Sequence, residues 1–510
     1  MYKLLYIDLF CGAGGTSTGV ETARIGGKQL SKVIACVNHD ANAIASHAAN
    51  HPEALHFTED IRTLDLSRMY AHLRAMRVKY PEALVVLWAS LECTNFSKAK
   101  GGQSRDADSR TLAEHLFRYI DAINPDYIQI ENVEEFMGWG EIDENGRPIS
   151  TDKGKSYLRW VKNIKACGYA YQWRLLNSAD FGAYTARKRY FGQFAKTGLP
   201  ISWPEPTHSK EAKEGLFERT KKWKAVKEVL DLNDEGESIF TRKKPLSDKT
   251  LERIHAGLIK FVAGGKSQWL LKYNSINGKT GKHIPPSIDE PSPVVSCQGR
   301  LGIESAKFIS AYYGNGDNVS DIDSPAPTVT TKDRFALVTS HFFVNQYSCS
   351  HSSSIDGPSP TLLANPKQNL ITCRPWIMNT SFNNVGSSLE EPSQVITANR
   401  KWHYLMNPQN GEGVCISPSD SQAMRKIKEF MLLFGLSDIR MRMLRIPELK
   451  RIMGFPTDYE LIGNQGEQKK YIGNAVEVTT SRALCVATIK GLSQLATRGA
   501  RKLSLNKTTV

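Results

Sequence analysis

The sequence predicts two folded regions of different class: a doubly wound, mainly parallel α/β sheet near the N-terminus and a β-rich region in the middle. Up to about residue 200, short apolar runs alternate with segments of helical spacing, which is typical of α/β sheets. From about residue 268 to 406 the chain changes to short β-prone runs between Asn, Ser, Gly and Pro. With 510 residues, it is also too long for one ordinary hydrophobic core.

Five apolar runs are predicted to be the strands of the first region: Leu4–Phe10, Val33–Val37, Ala83–Trp88, Tyr127–Ile130 and Tyr190–Phe194. Between them, Ala41–Ala49 and Leu112–Ile123 have the apolar spacing of helices. Sheets of this kind bind their ligands at the carboxyl ends of the strands. Polar residues that directly follow these strands are therefore the candidates for a functional site.

The middle of the chain contains an internal repeat. Four stretches share one pattern, and their first prolines, at positions 291, 325, 358 and 392, lie 34, 33 and 34 residues apart. This predicts four copies of a unit made of a turn and a strand. The loops before the copies either face a ligand or only complete turns.

Two further segments complete the organisation of the chain. Residues 206–267 are rich in Lys and Glu, and helical patterns at Trp223–Leu230 and Lys249–Phe261 predict a helical connector. After residue 440, helices are predicted from Pro447 to Met453 and over Thr479–Leu495, followed by a loose tail of fifteen residues.

Net charge and cysteine content limit the functions that the protein is predicted to have. A net charge of +14 favours a polyanionic partner such as nucleic acid, although many basic proteins bind none. The nine cysteines are odd in number and form no CxxC pair, so neither a disulfide framework nor a zinc or other metal site is predicted. A reducing cytosol fits this usage. No apolar run approaches the ~20 residues of a membrane span.

The glycine-rich stretch that begins at Asp8 lies where a strand turns into a helix, and it includes Gly12, Gly14 and Gly15. Such glycines let the backbone approach a ligand. Their spacing does not fit GxGxxG, which argues against a nicotinamide oxidoreductase. Asn38 and Asp60 follow the next two strands. Their side chains can hydrogen-bond sugar hydroxyls and an adenine amine, but polar residues at strand ends more often cap helices.

Cys93 stands apart from the other cysteines because it follows a buried strand inside a polar, glycine-containing loop. Glu131 follows the strand Tyr127–Ile130, and Arg187 and Arg189 lie beside the next strand. A thiol, a carboxyl and a guanidinium at one sheet edge can surround a pyrimidine, with the carboxyl at N3 and N4 and the guanidinium at O2. Cytosine is a poor electrophile, so a group such as Glu131 must polarise it before a thiolate adds.

With these motifs, the chain resembles the DNA (cytosine-5) methyltransferases of bacteria and phages. Seven motifs occur in the order of that family: Asp8–Gly15, Asp60-Ile61, Ser90–Ser97 with Asp108–Leu112, Glu131–Val133, Ala179–Gly182 with Arg187–Arg189, Arg451–Pro456 and Ile472–Val476. The resemblance implies a Rossmann-like, S-adenosylmethionine-dependent methyltransferase domain formed by residues 1–205 and 441–510. It also implies that residues 268–440 are an inserted target-recognition domain that carries the repeats.

The resemblance further implies the roles of individual residues. Cys93 is the expected nucleophile, Glu131 the group that activates N3, and Arg187 the clamp on O2, with Arg189 beside it. The expected S-adenosylmethionine site comprises Asp8, Phe10, Cys11, Gly12, Gly14, Gly15, Asn38, Asp60, Ile61, Asn474 and Val476. The expected partner is double-stranded DNA, and a cognate restriction endonuclease is a possible second partner. The protein is expected to be a monomer. Its expected location is the cytoplasm of a bacterial or phage-infected cell.

Several residues depart from the family pattern. The family usually has Pro-Pro-Cys-Gln at the nucleophile, whereas this chain has Leu91-Glu92-Cys93-Thr94. A carboxylate beside the thiol raises its pKa unless Glu92 points away or pairs with a base such as Lys98. Asn38, Thr185 and Glu477 also replace the usual residues. Two alternatives therefore stay open: a catalytically impaired, sequence-specific DNA-binding protein, and an RNA cytosine-5 methyltransferase.

Overall fold

The computed structural model describes residues 1–91, 112–140, 153–215, 219–261, 414–434 and 436–507, and the backbone of separate strands between residues 302 and 410. The chain divides into two compact units. Unit 1 comprises Met1–Ala183, Arg187–Lys222 and Met453–Val510, and unit 2 comprises Tyr184–Ala186 and Trp223–Ile452. The predicted Cys93 loop and the four repeat motifs lie outside the described residues.

Unit 1 is built on a seven-stranded sheet, which confirms the predicted doubly wound, mainly parallel architecture. Its strands are β1 (Leu4–Leu9), β2 (Ser31–Val37), β3 (Leu55–Phe57), β4 (Leu84–Ser90), β5 (Tyr127–Asn132), β6 (Tyr169–Asn177) and β7 (Lys188–Lys196). Their order is β3-β2-β1-β4-β5-β7-β6. Strands β1 to β5 pair in parallel, and β7 runs antiparallel to both of its neighbours. The order reverses between β1 and β4, the kind of point where open α/β sheets bind ligands.

Helices cover both faces of this sheet. They are α1 (Gly15–Thr22), α2 (Ala41–Asn50), α3 (Ser67–Lys79), α4 (Leu116–Ile123), α5 (Lys155–Ala166), α9 (Gln465–Asn474) and α10 (Val478–Lys507). Successive residues of β1 alternate between the two faces, as the pleat of a strand requires. Leu4 and Tyr6 pack in a core with residues of α1 and α10, whereas Leu5 and Ile7 pack in a second core with residues of α3, α4 and α5. None of the described helices is long and apolar enough to cross a membrane.

The structure differs from the predicted helical connector over residues 206–267. Its first part forms a small sheet in unit 1 from β8 (His208–Ser209), β9 (Lys213–Glu214) and β10 (Arg219–Lys222). The helix predicted at Trp223–Leu230 is a single 3-10 turn, Val226–Val229, while α6 (Asp248–Phe261) is present as predicted. Lys and Glu favour helices, but helix propensity is a weak preference that tertiary contacts override, and so composition misled the prediction here.

Unit 2 contains a five-stranded sheet of order β11-β21-β12-β20-β19 and two three-stranded sheets. The strands are β11 (Glu237–Ser238), β12 (Gly302–Glu304), β13 (Phe308–Ala311), β14 (Val319–Ser320), β15 (Phe335–Val338), β16 (His341–Asn345), β17 (Ser352–Ser354), β18 (Gln368–Thr372), β19 (Trp376–Asn379), β20 (His403–Asn410) and β21 (Leu436–Met443). The helices are α7 (Gln422–Phe434) and α8 (Ile446–Ile452), and the ring of His255 on α6 lies 6.2 Å from that of Phe430 on α7.

Strands recur along unit 2 with nearly the period of the predicted repeat. Strands β12, β15, β18 and β20 begin 33, 33 and 35 residues apart. Strand β13 pairs antiparallel with both β14 and β15, and β16 pairs in the same way with β17 and β18. The middle region is therefore β-rich, and the four copies themselves stay a prediction.

Candidate active site

The described residues of the predicted site in unit 1 lie along one edge of its sheet. Strands β1, β2, β4 and β5 are parallel and end at this edge, and β7 begins there because it runs the opposite way. Ser90, at the end of β4, pairs with Glu131, at the end of β5. The Asn132 amide donates to the Leu91 carbonyl at 3.3 Å, so the chain that leads to Cys93 leaves from the same edge.

The glycine-rich loop after β1 has one open and one packed side. Phe10, Gly12 and Gly14 all have positive φ angles, of 58°, 52° and 99°. A Cβ on Gly12 would meet nothing within 4 Å, whereas one on Gly14 would lie 2.3 Å from the Tyr459 hydroxyl oxygen and one on Gly15 2.4 Å from the Val476 carbonyl oxygen. Gly14 and Gly15 thus permit packing against the C-terminal segment, and Gly12 leaves open space at the ligand-binding edge.

Gly14→Ala should lower the melting temperature of the protein by more than Gly27→Ala does. Both glycines have positive φ, but a Cβ on Gly27 would meet nothing within 4 Å. Gly27→Ala should lower the free energy of unfolding only by the cost of a left-handed backbone with a Cβ, about 1–2 kcal/mol. Gly14→Ala has this cost and also a clash with Tyr459. Thermal unfolding of the two variants measures the difference, and equal melting temperatures would show that this packing does not matter.

Asn38 and Asp40 follow β2 and are partly committed to local structure. The Asn38 side-chain oxygen accepts from the Asp40 backbone N–H at 2.9 Å. Asp40 caps α2 by accepting from Asn42 and Ala43, and it also accepts from the Tyr471 hydroxyl at 2.9 Å. Burial opposes ionisation of Asp40, but these bonds and one from Lys470 hold its pKa below the usual value. Asp40 therefore ties α2 to α9.

Asp60 and Ile61 follow β3, with Asp60 half-buried. The Asp60 carboxylate accepts from Arg62, including an ion pair of 2.6 Å to Nη2, and this contact lowers its pKa. The Ile61 side chain is buried, and its carbonyl accepts from the Tyr119 hydroxyl at 2.9 Å. A ligand at this strand end would meet an ionised carboxylate whose oxygens are already shared with Arg62.

Glu131 is a buried carboxyl with unused hydrogen-bonding capacity. Its residue is 6% exposed, and Oε1 accepts no hydrogen bond from the described residues. Burial raises the pKa of Glu131, while the charges of Arg187 and Arg189 act in the opposite direction. A protonated carboxyl offers one O–H donor and one acceptor oxygen, whereas an ionised carboxylate offers acceptors alone.

The two arginines predicted beside Glu131 have different contacts. Arg189 Nε lies 3.4 Å from Glu131 Oε1. Arg187 Nη1 donates instead to the Gly473 carbonyl at 3.0 Å, just before Asn474. Arg189 thus contacts the carboxyl directly, while Arg187 bonds to the predicted cofactor segment and its charge also acts on Glu131, a distinction that motif spacing did not indicate.

The C-terminal segment places Asn474 at the exposed end of α9 and buries Val476. Glu477, which replaces the family's usual proline, accepts from the backbone N–H groups of Thr479 and Thr480 at 2.9 and 2.8 Å. It therefore caps α10. Tyr459 donates to the Ala13 carbonyl and supports the glycine-rich loop. Sequence reasoning missed Tyr459 and named Glu477 only as a departure from the family pattern, because their partners in the loop and helix become apparent only in the fold.

Asp8 and Cys11, which the resemblance implies as cofactor residues, direct their side chains into the protein. The Asp8 carboxylate is fully buried and accepts from Ser17 Oγ at 2.8 Å. The Cys11 thiol is buried with Cys36 and Ile44. Any contact of these two residues with a ligand would have to come from their backbone.

Comparison with known proteins decides the family. The family model of the C-5 cytosine-specific DNA methylases matches residues 4–490. The chain belongs to this family. Two similar curated members are the Type II methyltransferase M.AgeI of Thalassovita gelatinovora, 29% identical over 211 residues, and M1.HphI of Haemophilus parahaemolyticus, 26% identical over 296 residues.

The matched regions cover only part of these family members. They span 41% of this chain and 44% of M.AgeI, and 58% of this chain and 71% of M1.HphI. Among solved structures, a mutant form of the Spodoptera frugiperda DNMT2 aligns over 96% of this chain and 100% of its own, with 14% identity and a TM-score of 0.45.

Proposed function

We propose that this protein transfers a methyl group from S-adenosylmethionine to carbon 5 of cytosine in double-stranded DNA. The observation that carries the proposal is the buried Glu131 carboxyl beside Arg189 at the carboxyl edge of a methyltransferase sheet. Family membership supports the same chemistry.

Glu131 suits the edge of cytosine that carries N3 and N4. N3 accepts a hydrogen bond and the N4 amine donates one, so a protonated carboxyl can satisfy both. Burial raises the pKa of Glu131, which favours the protonated form, and Oε1, which accepts no hydrogen bond from the described residues, provides an acceptor for the amine. A protonated Glu131 is therefore complementary to this edge of cytosine.

The residues then act in a fixed order. Glu131 gives its proton to N3 while the Cys93 thiolate adds to C6, which makes C5 nucleophilic. S-adenosylmethionine, when bound, supplies an electrophilic methyl group that forms the new bond to C5. The C5 proton passes to solvent water, the electron pair left at C5 expels the Cys93 thiolate from C6, and the proton on N3 returns to Glu131. A base inside a duplex is out of reach of this edge, so the target cytosine must first leave the stack.

The glycine-rich loop and the segment Asn474–Val476 fit the cofactor. Gly12 has open space beside it, and Gly15 packs against Val476, which brings the loop and the segment together. Asp60 and Asn38, at the next two strand ends, supply polar atoms for the adenosine part. Arg187 holds the backbone just before Asn474.

We assign the O2 clamp to Arg189 and a positioning role to Arg187. Arg189→Ala should lower kcat with little effect on KM for S-adenosylmethionine. Arg187→Ala should raise that KM by about tenfold or more, the scale expected from losing a hydrogen bond of a charged group. Steady-state kinetics of both variants measures kcat and the KM for S-adenosylmethionine. Arg187→Lys retains a donor for Gly473 and should recover part of the affinity for S-adenosylmethionine. If Arg187→Ala instead lowered kcat and Arg189→Ala raised the KM, Arg187 would be the residue that binds O2.

Methyl transfer with radiolabelled S-adenosylmethionine tests the substrate class. Duplex DNA, single-stranded RNA and transfer RNA are supplied at equal cytosine content, and 5-methylcytosine is identified by mass spectrometry of the nucleosides. The proposal expects 5-methylcytosine in DNA only. Label in RNA alone would favour the RNA methyltransferase. DNA binding without label in any substrate would favour the impaired DNA-binding protein.

A further inference from the structure

A cluster of sulfur and nitrogen atoms lies beneath the glycine-rich loop. The ligand atoms of Cys11, Cys36 and His47 all lie within 4.8 Å of one another, and the three residues are buried. They come from the loop after β1, from β2 and from α2. These thiols and this imidazole have no part in the proposed methyl transfer.

A fourth potential ligand lies at the margin of the cluster. His56, on β3, places Nε2 3.0 Å from Nδ1 of His47, and the same Nδ1 lies 3.6 Å from the Cys36 sulfur. In a tetrahedral zinc site, with Zn–S near 2.3 Å and Zn–N near 2.0 Å, neighbouring ligand atoms are roughly 3.3–3.8 Å apart. The two separations at Nδ1 of His47 are close to these values, and His56, which lies outside the 4.8 Å group, would have to move toward Cys11 to complete a Cys₂His₂ set.

The surroundings of His47 match those of a metal-ligating histidine. Its Nε2 lies 2.9 Å from Ser17 Oγ, and Ser17 Oγ donates to Asp8 Oδ2 at 2.8 Å. Metal-binding histidines typically donate their second N–H to such a partner, which fixes the ring and leaves the other nitrogen for the metal. The chain from Asp8 through Ser17 thereby directs Nδ1 of His47 toward Cys36 and His56.

The charge of the region also favours a cation. Asp8 is fully buried, and its Oδ1 accepts no hydrogen bond from the described residues. A divalent cation bound at the cluster would offset the cost of burying this carboxylate.

We propose that Cys11, Cys36, His47 and His56 bind one structural zinc ion that fastens the glycine-rich loop to β2, α2 and β3. Binding replaces the two thiol protons, which pass to solvent, and leaves both imidazoles neutral with their ligating nitrogens unprotonated. The competing arrangement is a proton between the two imidazoles with free thiols. The proposal is independent of the proposed function, because it concerns only the stability of the fold around the loop.

Metal analysis of the full-length chain, purified without a metal-binding tag under reducing conditions, tests the proposal. After reconstitution with zinc and gel filtration, we expect one zinc per chain. Cobalt should substitute with the visible absorption of tetrahedral Co²⁺ and a sulfur-to-cobalt charge-transfer band. Zinc binding should release two protons per ion, and a chelator should lower the melting temperature of the wild type.

Matched variants separate ligands from other buried or histidine residues. Cys36→Ser and His47→Asn should lose the bound ion, and the half-buried His56→Asn should weaken zinc affinity by at least tenfold while retaining the fold. Cys485→Ser, at a buried cysteine outside the cluster, and His72→Asn should keep one ion per chain. Absence of metal in the reconstituted wild type, or stoichiometry unchanged by Cys36→Ser and His56→Asn, would overturn the proposal in favour of the shared proton.

Discussion

Cys93→Ser should reduce methyl transfer to DNA by about 10⁴-fold or more, the scale seen when a catalytic nucleophile is removed. A serine hydroxyl is far harder to ionise than a thiol, so the variant lacks the anion that adds to C6. Single-turnover incorporation of labelled methyl groups measures the loss. Affinity for DNA should stay within a few-fold of the wild type, because the substitution changes a single atom.

The control for Cys93→Ser is Cys167→Ser, at an exposed free cysteine. This variant should methylate DNA at the wild-type rate. If Cys93→Ser also retained its rate, the covalent mechanism would be wrong, and direct transfer to an unactivated cytosine would have to be considered.

Glu131→Gln should lower the rate of methyl transfer by about a hundredfold or more, the range typical of general acid–base groups. The amide can still donate to N3 but cannot give it a proton. Glu134→Gln is the matched control, because Glu134 lies three residues along the chain, is exposed, and pairs only with Lys188 at 3.4 Å among the contacts described. A wild-type rate for Glu131→Gln would refute the role of the carboxyl.

The same variant predicts a pH dependence of stability. Because burial raises the pKa of Glu131, the folded protein keeps this proton at pH values where the unfolded chain has already released it. The contribution of Glu131 to stability is therefore lost as pH rises from about 4.5, its ordinary pKa, through the raised value. The melting temperature of Glu131→Gln minus that of the wild type should therefore increase as pH rises through this window. If this difference stayed constant with pH, Glu131 would not titrate there.

The sequence predicted the strands of unit 1 well where burial is complete. Strand β1 has six buried residues, and its apolar run was evident without a structure. Strand β6 was missed because it lies at the edge of the sheet and buries only two of its nine residues, leaving Trp173 exposed. Helix α3 was missed for a similar reason, since it buries only Met69 and Leu73.

The end of the chain shows a second limit. The last fifteen residues were predicted to be a loose tail because they are rich in Lys, Arg, Ser and Thr, but α10 continues to Lys507. Lys, Arg, Ala and Leu are all good helix formers, and a helix that is already nucleated extends at little cost. Charged composition was a weaker guide here than helix propensity.

At the candidate site, the order of the motifs identified Glu131, Arg187 and Arg189 but did not predict which residues they contact. That Arg189 meets Glu131 while Arg187 meets Gly473 depends on how β7 enters the sheet beside the C-terminal segment. The Cys–His cluster was equally hidden, because its residues are separated by 25, 11 and 9 positions and share no local pattern. Such clusters arise from strand order rather than from spacing.

The most direct test of the central claim is covalent trapping on duplex DNA that contains 5-fluorocytosine at the methylated position. Fluorine cannot leave C5 as a proton does, so the enzyme should stay bonded to C6 after methyl transfer. Peptide mapping by mass spectrometry should find the modified nucleotide on Cys93 in the wild type and no adduct in Cys93→Ser. An adduct on another residue, or methylation of ordinary DNA without any trapped complex, would contradict the account.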